Sequence, residues 1–193
     1  MVDGGKINEN NYPNWFEYVR PNFLHLPKDA ELSVLQIGAY KGDCTEYILE
    51  NHSVREIVDV DTWEGSMEHS DLGITFQDIE QIYDEKFLND NRVKKMKMTS
   101  DMYFASNFSE ELFDFIYIDG GHTSTQVLVD GINAFPRLKV GGILAFDDYE
   151  WPKYSGSLNN PKIGIDCWLR LFDGYYAVLI QNYQIWITKL KSV

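Results

Sequence analysis

The sequence predicts an α/β protein, with an open, mostly parallel sheet, helices on both faces and an antiparallel hairpin late in the chain. Three observations carry this. Short apolar runs alternate with segments of helical periodicity along most of the chain. Several runs stop at a glycine or an acid, at Gly38, Asp61, Asp119 and Asp147. The last two, Tyr176 to Ile180 and Gln184 to Leu190, are joined only through Gln181-Asn182-Tyr183, short enough for a hairpin.

Taken in order, Tyr12 to Pro27 is aromatic, with Trp15, Phe16, Tyr18 and Val19, and is expected to be helical in part. It belongs to an N-terminal segment, residues 1–30, that packs outside the sheet or over its ligand edge; residues 31–193 form one domain. Ser33 to Ile37 is the first strand and ends at Gly38. The following helix starts with Asp43 as N-cap and Glu46 as its capping-box partner, and Tyr47, Ile48 and Leu49 give it an apolar side. Val54 to Asp61 is the second strand, followed by a polar loop through Gly73 in which Glu68 and His69 face solvent. Phe76, Ile79, Ile82, Tyr83 and Phe87 recur at helical spacing and define a helix from Phe76 to Leu88. Val93 to Met98 and Phe113 to Ile118 are the third and fourth strands, the latter as apolar as a central parallel strand should be. Val127, Leu128, Gly131, Ile132 and Phe135 mark a helix stopped by Pro136. Gly141-Gly142 leads into a fifth strand, Ile143 to Phe146, and Ile163 to Phe172 is the last helix.

With 193 residues, 44% hydrophobic and 15% aromatic, the chain can bury one sizeable core and is not disordered. A formal net charge of −13 argues against a nucleic-acid partner, because phosphate binding needs clustered cations. The densest basic run, Lys94-Lys95-Met96-Lys97, reads as a strand edge or solvated face. Cys44 and Cys167 make no disulfide framework and read as packing residues. The first residues lack an apolar signal core, and no run approaches a membrane span, so a soluble, reducing, cytoplasmic setting is expected.

The glycine turn gives the first functional signal. A buried strand that stops at glycine and turns into a helix exposes that helix's first N–H groups and lets a ligand approach bare backbone. This is how a nucleotide-like cofactor is held at the carboxyl edge of a parallel sheet. Gly38-Ala39-Tyr40-Lys41-Gly42 lacks the third glycine of the dinucleotide fingerprint, which disfavours a nicotinamide-dependent oxidoreductase. Asp61 follows Gly42 by 19 residues, the separation at which a strand-end carboxylate can accept both hydroxyls of a ribose. Trp63 beside it could cover an adenine face or simply pack.

The other strand ends carry Asp119-Gly120-Gly121-His122 and Asp147-Asp148, and the sheet brings them to the same edge. Three unpaired carboxylates repel, so at least one stays protonated or a hard cation such as Mg²⁺ sits among them. The alternative is N-capping and cofactor hydrogen bonds with no metal. His122 is either a general base or a helix-end histidine bonded to backbone. Trp15, Trp151 and Tyr154 could form an aromatic wall for a ring-shaped acceptor or pack singly.

Val34 to Gly42, Asp61-Thr62-Trp63-Glu64-Gly65, Ile118 to His122 and Leu138 to Tyr149 together resemble the class I S-adenosylmethionine-dependent methyltransferases. The likeness is to the small stand-alone branch with an Asp-Gly-Gly-His motif, similar to the macrocin and novobiocin-type sugar O-methyltransferases. The resemblance implies a Rossmann-like, seven-stranded sheet with the last strand antiparallel. It implies a cofactor set of Gln36, Gly38, Ala39, Tyr40, Gly42, Thr45, Asp61, Thr62, Trp63, Ser100, Asp119 and His122. Within that set the glycines approach the methionine part, Asp61 holds the ribose, and Ser100 or Asp101 meets the adenine. It implies Mg²⁺ on Asp119, Asp147 and Asp148, with His122, Asp119 and Asp147 as catalytic groups. The expected reaction is O-methylation of a small hydroxylated molecule such as a sugar, assisted by a base or by Mg²⁺.

The chain departs from that pattern in places. Gln36 replaces a glutamate, Asp43-Cys44 replaces Gly-Ser, and Val140 replaces a proline. Gly121 stands where relatives carry an acid acting as base, which passes the role to His122 or to metal-bound water, or leaves a non-catalytic cofactor-binding module. A nucleic-acid methyltransferase is disfavoured by the acidic charge and by the lack of an aromatic-proline motif such as N-P-P-Y. The aromatic N-terminal segment could also lie across a homodimer interface; no membrane partner is expected.

Overall fold

The computed structural model describes residues 8–65, 74–106 and 112–193. The expected positions of Glu68 and His69 lie outside them. A short helix α1 (Phe16–Val19) and a 3₁₀ segment (Arg20–His25) lead into strand β1 (Leu32–Ile37). Then come α2 (Asp43–Asn51), β2 (Val54–Asp61), α3 (Phe76–Phe87), β3 (Val93–Lys97), α4 (Ser100–Ser106) and β4 (Phe113–Ile118). The chain continues through α5 (Ser124–Ala134), β5 (Leu138–Phe146), α6 (Pro161–Leu171), β6 (Tyr176–Gln181) and β7 (Ile185–Lys189).

The seven strands form one sheet in the order β3-β2-β1-β4-β5-β7-β6. β1 to β5 are parallel, and β7 runs antiparallel to both β5 and β6. The expected seven strands, the hairpin and the single reversed strand are all present. Strand order reverses between β1 and β4, the place where a doubly wound sheet opens a crevice at its carboxyl edge.

Strand alternation divides the core into two layers. Leu35, Ile37, Ile116, Ile118, Leu144 and Phe146 face one side, where Tyr103 and Phe104 of α4, Val127 of α5 and Trp168 of α6 cover them. Val34, Phe115, Tyr117, Ile143 and Trp186 face the other, against Ile48 of α2 and the N-terminal Phe16, Val19, Phe23 and Leu26. Phe23 is wholly buried and meets Phe115, Tyr117 and Trp186 edge-on at 5.0–5.8 Å. The N-terminal segment therefore closes the face of β4 and β7 that no helix of the alternating pattern reaches.

Four local expectations are corrected. Asp43 is not the N-cap of α2; Gly42 is, at φ +83°, and no side chain caps it. Asp43 and Glu46 instead hold the Lys86 ammonium at 3.0 and 2.9 Å, tying α2 to α3. β5 starts at Leu138, which pairs with Phe113, and runs through the glycines as an irregularity; a Cβ on Gly142 would lie 3.0 Å from the Asp114 carbonyl. α4 was not anticipated: seven residues carry too little periodicity to declare a helix. Cys167 is exposed, whereas Cys44 is buried.

The lysine run does form an edge strand. Lys94, Lys95 and Lys97 reach Glu56, Glu80 and Asp84, so the edge is covered by paired charge that discourages strand addition. Among the described residues no helix is long and apolar enough to cross a membrane.

Candidate active site

The site is built around the turn that leaves β1. Gly38 has φ +91°, and a Cβ on it would lie 1.9 Å from the Asp119 carbonyl oxygen. The neighbouring strand end, rather than a ligand, demands glycine there. Gly42 is similar: a Cβ would lie 2.4 Å from the Phe87 ring of α3. Asp61 at the end of β2 clamps the turn from the open side. Its Oδ2 accepts the Ala39 and Tyr40 N–H groups at 2.9 Å each, and its Oδ1 accepts the Trp63 N–H at 2.8 Å. From behind, the Gln36 amide donates to the Gly38 carbonyl at 2.8 Å and accepts the Thr45 hydroxyl at 3.1 Å.

A cavity of about 290 Å³ opens in front of this turn. Gly38, Tyr40, Asp61, Thr62, Trp63, Ser100, Asp119 and His122 of the expected cofactor set line it. Gln36, Ala39, Gly42 and Thr45 do not; they form the rigid back of the turn. Trp63 is 4% exposed, packs 4.9 Å from Tyr83, and donates its indole N–H to the Tyr40 carbonyl at 2.9 Å. It presents a fixed edge to the cavity because its body is core. Ile37, Val60, Ile79 and Met98 make an apolar middle, and Ser100, Asp101 and Gln126 a polar far end. Trp15 of the N-terminal segment contributes from above and lies 5.0 Å from the Tyr40 ring. A long ligand with a polar amino-acid end, a ribose and a flat base fits this sequence of surfaces.

At the acidic end, the His122 Nε2 is 3.2 Å from an Asp148 oxygen and 3.7 Å from an Asp119 oxygen. The Tyr183 hydroxyl donates to the other Asp148 oxygen at 2.5 Å. Asp148 sits at φ +59°, a left-handed conformation that aspartate tolerates and that turns its carboxylate back toward His122. Asp147 accepts the Tyr117 hydroxyl and the Gln184 amide, both at 2.9 Å, and lies within hydrogen-bonding reach of Asp119. Among the described residues, Asp119, His122 and Asp148 have oxygen and nitrogen atoms close enough to share one ion, and the expected Asp147 lies beside them, next to Asp119. Two carboxylates and an imidazole suit Mn²⁺ or Zn²⁺ better than Mg²⁺, which prefers an all-oxygen shell. Tyr117, Tyr183 and Gln184 carried no sequence signal, since their roles depend on β7 lying beside β5.

Burial raises the Asp119 carboxyl to about 6, partly opposed by His122. Burial, then the Asp119 and Asp148 charges, push Asp147 well above the usual carboxylate range. In the metal-free protein, a proton on Asp147 relieves the repulsion among the three acids. Burial likewise raises Asp130 to about 6 and Asp59 to about 7.

These shifts fix a sign for stability. Between the ordinary carboxylate value of 3.8 and about 6 to 7, the folded chain holds protons that the unfolded chain has released. Stability from these groups is full below that window and is lost as pH rises through it. Glu80 and Asp90, lowered by Lys95 and Arg92, act oppositely and lose their contribution only in stronger acid. The melting temperature is expected to be several degrees higher at about pH 5 than at about pH 8. Thermal melts across that range check this, and a rise toward pH 8 would contradict it.

The family description "Methyltransferase domain" matches residues 35–149, which include the turn, Asp61, the Asp119 to His122 turn and Asp147-Asp148. No curated protein matches the chain in sequence. Among solved structures, N-methyltransferase NodS from Bradyrhizobium japonicum, in complex with S-adenosyl-L-homocysteine, aligns with a TM-score of 0.62 at 15% identity, over 94% of this chain and 91% of that one. An rRNA methylase from Streptococcus thermophilus aligns at 0.59 and 13%, over 93% and 98%. The O-methyltransferase NovP aligns at 0.58 and 17%, over 91% and 76%. At such identities the structures share the fold, and the family match covers more than half of the chain. The chain belongs to this methyltransferase domain family and is an S-adenosylmethionine-dependent methyltransferase.

Proposed function

We propose that the protein methylates a hydroxyl group of a small, uncharged molecule, a sugar or similar polyol, with Asp119 as base and His122 as its partner. The observation that carries this reading is the Asp119–His122–Asp148 group at the acidic end of the cofactor cavity. S-adenosylmethionine, when bound, supplies an already activated sulfonium methyl. The protein's part is to align an acceptor oxygen with it and remove a proton.

The His122 Nε2 stands between the two carboxylates, nearer to Asp148. Asp119 is the more open acid, about one-third exposed against about one-tenth for Asp148. With its carboxyl at about 6, it is ionised at neutral pH yet basic enough to take the acceptor's proton. A divalent ion on Asp119, His122 and Asp148 would lower the acceptor hydroxyl's pKa at the same place.

Among the described residues the cavity lining contains no lysine or arginine but has Asp61, Asp101 and Asp119. That supports an acceptor without phosphate and, with the net charge of −13, one that is not a nucleic acid. Trp151, edge-on to His122 at 5.1 Å, and Tyr154 beside it offer a wall for a sugar ring. The neighbour NovP, an O-methyltransferase, points the same way.

A cofactor-turnover assay reading S-adenosylhomocysteine release tests this. Turnover with neutral sugars and not with their phosphate esters or with amines is the expected pattern; turnover with amines alone would replace the O-methylation reading. Calorimetry tests the cofactor site separately. Asp61→Ala removes two backbone contacts from the turn and one from Trp63, and is expected to weaken S-adenosylhomocysteine binding by about 100-fold. Unchanged affinity would remove Asp61 from the site.

A further inference from the structure

Behind the glycine turn lies a carboxyl group that the chemistry above does not use. Asp59 on β2 is fully buried and stands in register with Gln36 of β1. Its Oδ2 is 2.7 Å from the Tyr83 hydroxyl and 2.8 Å from the Thr45 hydroxyl, and its Oδ1 has no partner among the described residues. The Thr45 hydroxyl also lies 3.1 Å from the Gln36 Oε1. The Gln36 amide orientation is fixed, because its nitrogen must donate to the Gly38 carbonyl.

The protons in this chain can be counted. Thr45 has one hydroxyl proton and faces two oxygens. If Asp59 is ionised, that proton serves either the carboxylate or Gln36, and the other oxygen is left facing an oxygen, a buried loss of a kind that destabilises. If Asp59 is neutral, its own proton goes to Thr45, the Thr45 proton goes to Gln36, and Tyr83 donates to Asp59. Every proton is then used, and the line runs unbroken from α3 to the Gly38 carbonyl.

The groups around Asp59 favour the neutral form. On its own strand is the Asp61 carboxylate, and α2 supplies Thr45 and the buried Cys44 thiol. From α3 come Tyr83 and, beyond it, Asp84. Lys95 is in register with Asp59 on β3, but its ammonium is held by Glu80 and Asp84. Burial raises the Asp59 carboxyl in this setting.

We propose that Asp59, as a neutral acid, is a positioning residue that holds the cofactor-binding turn from behind through Thr45 and Gln36, so that its ionisation loosens the turn and weakens cofactor binding. The inference rests on S-adenosylmethionine binding at this turn. Asp61 fixes the Ala39 and Tyr40 amides in front, and the Asp59 chain fixes the Gly38 carbonyl behind.

The test is calorimetric titration of the intact protein with S-adenosylhomocysteine at pH values from about 6 to about 8.5. Wild type is expected to lose affinity as pH rises. Asp59→Asn places an amide that donates to Thr45 at every pH, so its affinity should match wild type in acid and lose about tenfold less on going to base. Asp59→Ala, which breaks the chain, should bind about tenfold more weakly than Asp59→Asn at the acid end. Superimposable pH profiles for wild type and Asp59→Asn would overturn the proposal, as would equal affinity of a folded Asp59→Ala. If Asp59→Ala does not fold, the comparison of wild type with Asp59→Asn decides alone. Absence of binding by wild type would instead remove the cofactor reading itself.

Discussion

Gly38→Ala is expected to abolish S-adenosylhomocysteine binding and to lower stability by roughly 4 kcal/mol or more, enough to leave much of the protein unfolded. Two costs add. The backbone there is at φ +91°, a region that side chains rarely adopt, and the new methyl would meet the Asp119 carbonyl oxygen at 1.9 Å. That oxygen belongs to backbone and cannot step aside, because the Asp119 N–H is bonded to the Ile37 carbonyl at 2.8 Å. β1 and β4 would have to separate at their carboxyl ends, which is where the cavity begins. Gly156→Ala is the control: it has a similar φ of +78° but nothing within 4 Å of the added Cβ. Its cost should be about 1 kcal/mol, with cofactor affinity retained. Circular-dichroism melts and calorimetry on the two variants decide the matter; equal melting temperatures would show that the β1–β4 contact is not tight.

Asp119→Asn is expected to lower kcat by about 100- to 1000-fold while the protein folds and still binds cofactor. An amide fills the same space but accepts no proton. The wild-type rate should rise as pH increases through about 6, where the Asp119 carboxyl ionises, and the residual rate of the variant should lack that limb. Rate profiles with saturating acceptor check both statements. A variant with full kcat would exclude Asp119 as base and return the role to His122, whose Nε2 would then have to release its contact with Asp148.

The fold was legible because its signals are local. Strands β1, β2 and β4 are apolar runs ended by Gly38, Asp61 and Asp119, and α3 and α5 have clear helical spacing, so each declares itself without knowledge of its neighbours. The glycine turn and Asp61 were legible for the same reason. The division of labour within the site was not. Asp147 and Asp148 are adjacent in sequence, but Tyr117 and Gln184 hold one while the left-handed backbone turns the other toward His122. Gln36 and Thr45 belong to the binding motif, yet their side chains support the turn from behind because strand alternation points residue 36 away from the cavity layer. The two turn glycines are required by Asp119 and Phe87, contacts made by distant elements.

The place of β7 has a consequence for how the chain is made. This strand is the last of the seven to leave the ribosome, yet it lies between β5 and β6 and carries the fully buried Trp186 and Ile187. Until it arrives, Ile143 to Phe146 form an open, wholly apolar sheet edge, the kind that pairs with other chains. β6 emerges earlier and has no strand to join until β7 is present. The sheet is therefore completed only once β7 has emerged, when one insertion closes the edge and brings Gln184 to Asp147. Within the sheet, the support of Asp147 at the acidic end of the active site is assembled after every parallel strand is in place.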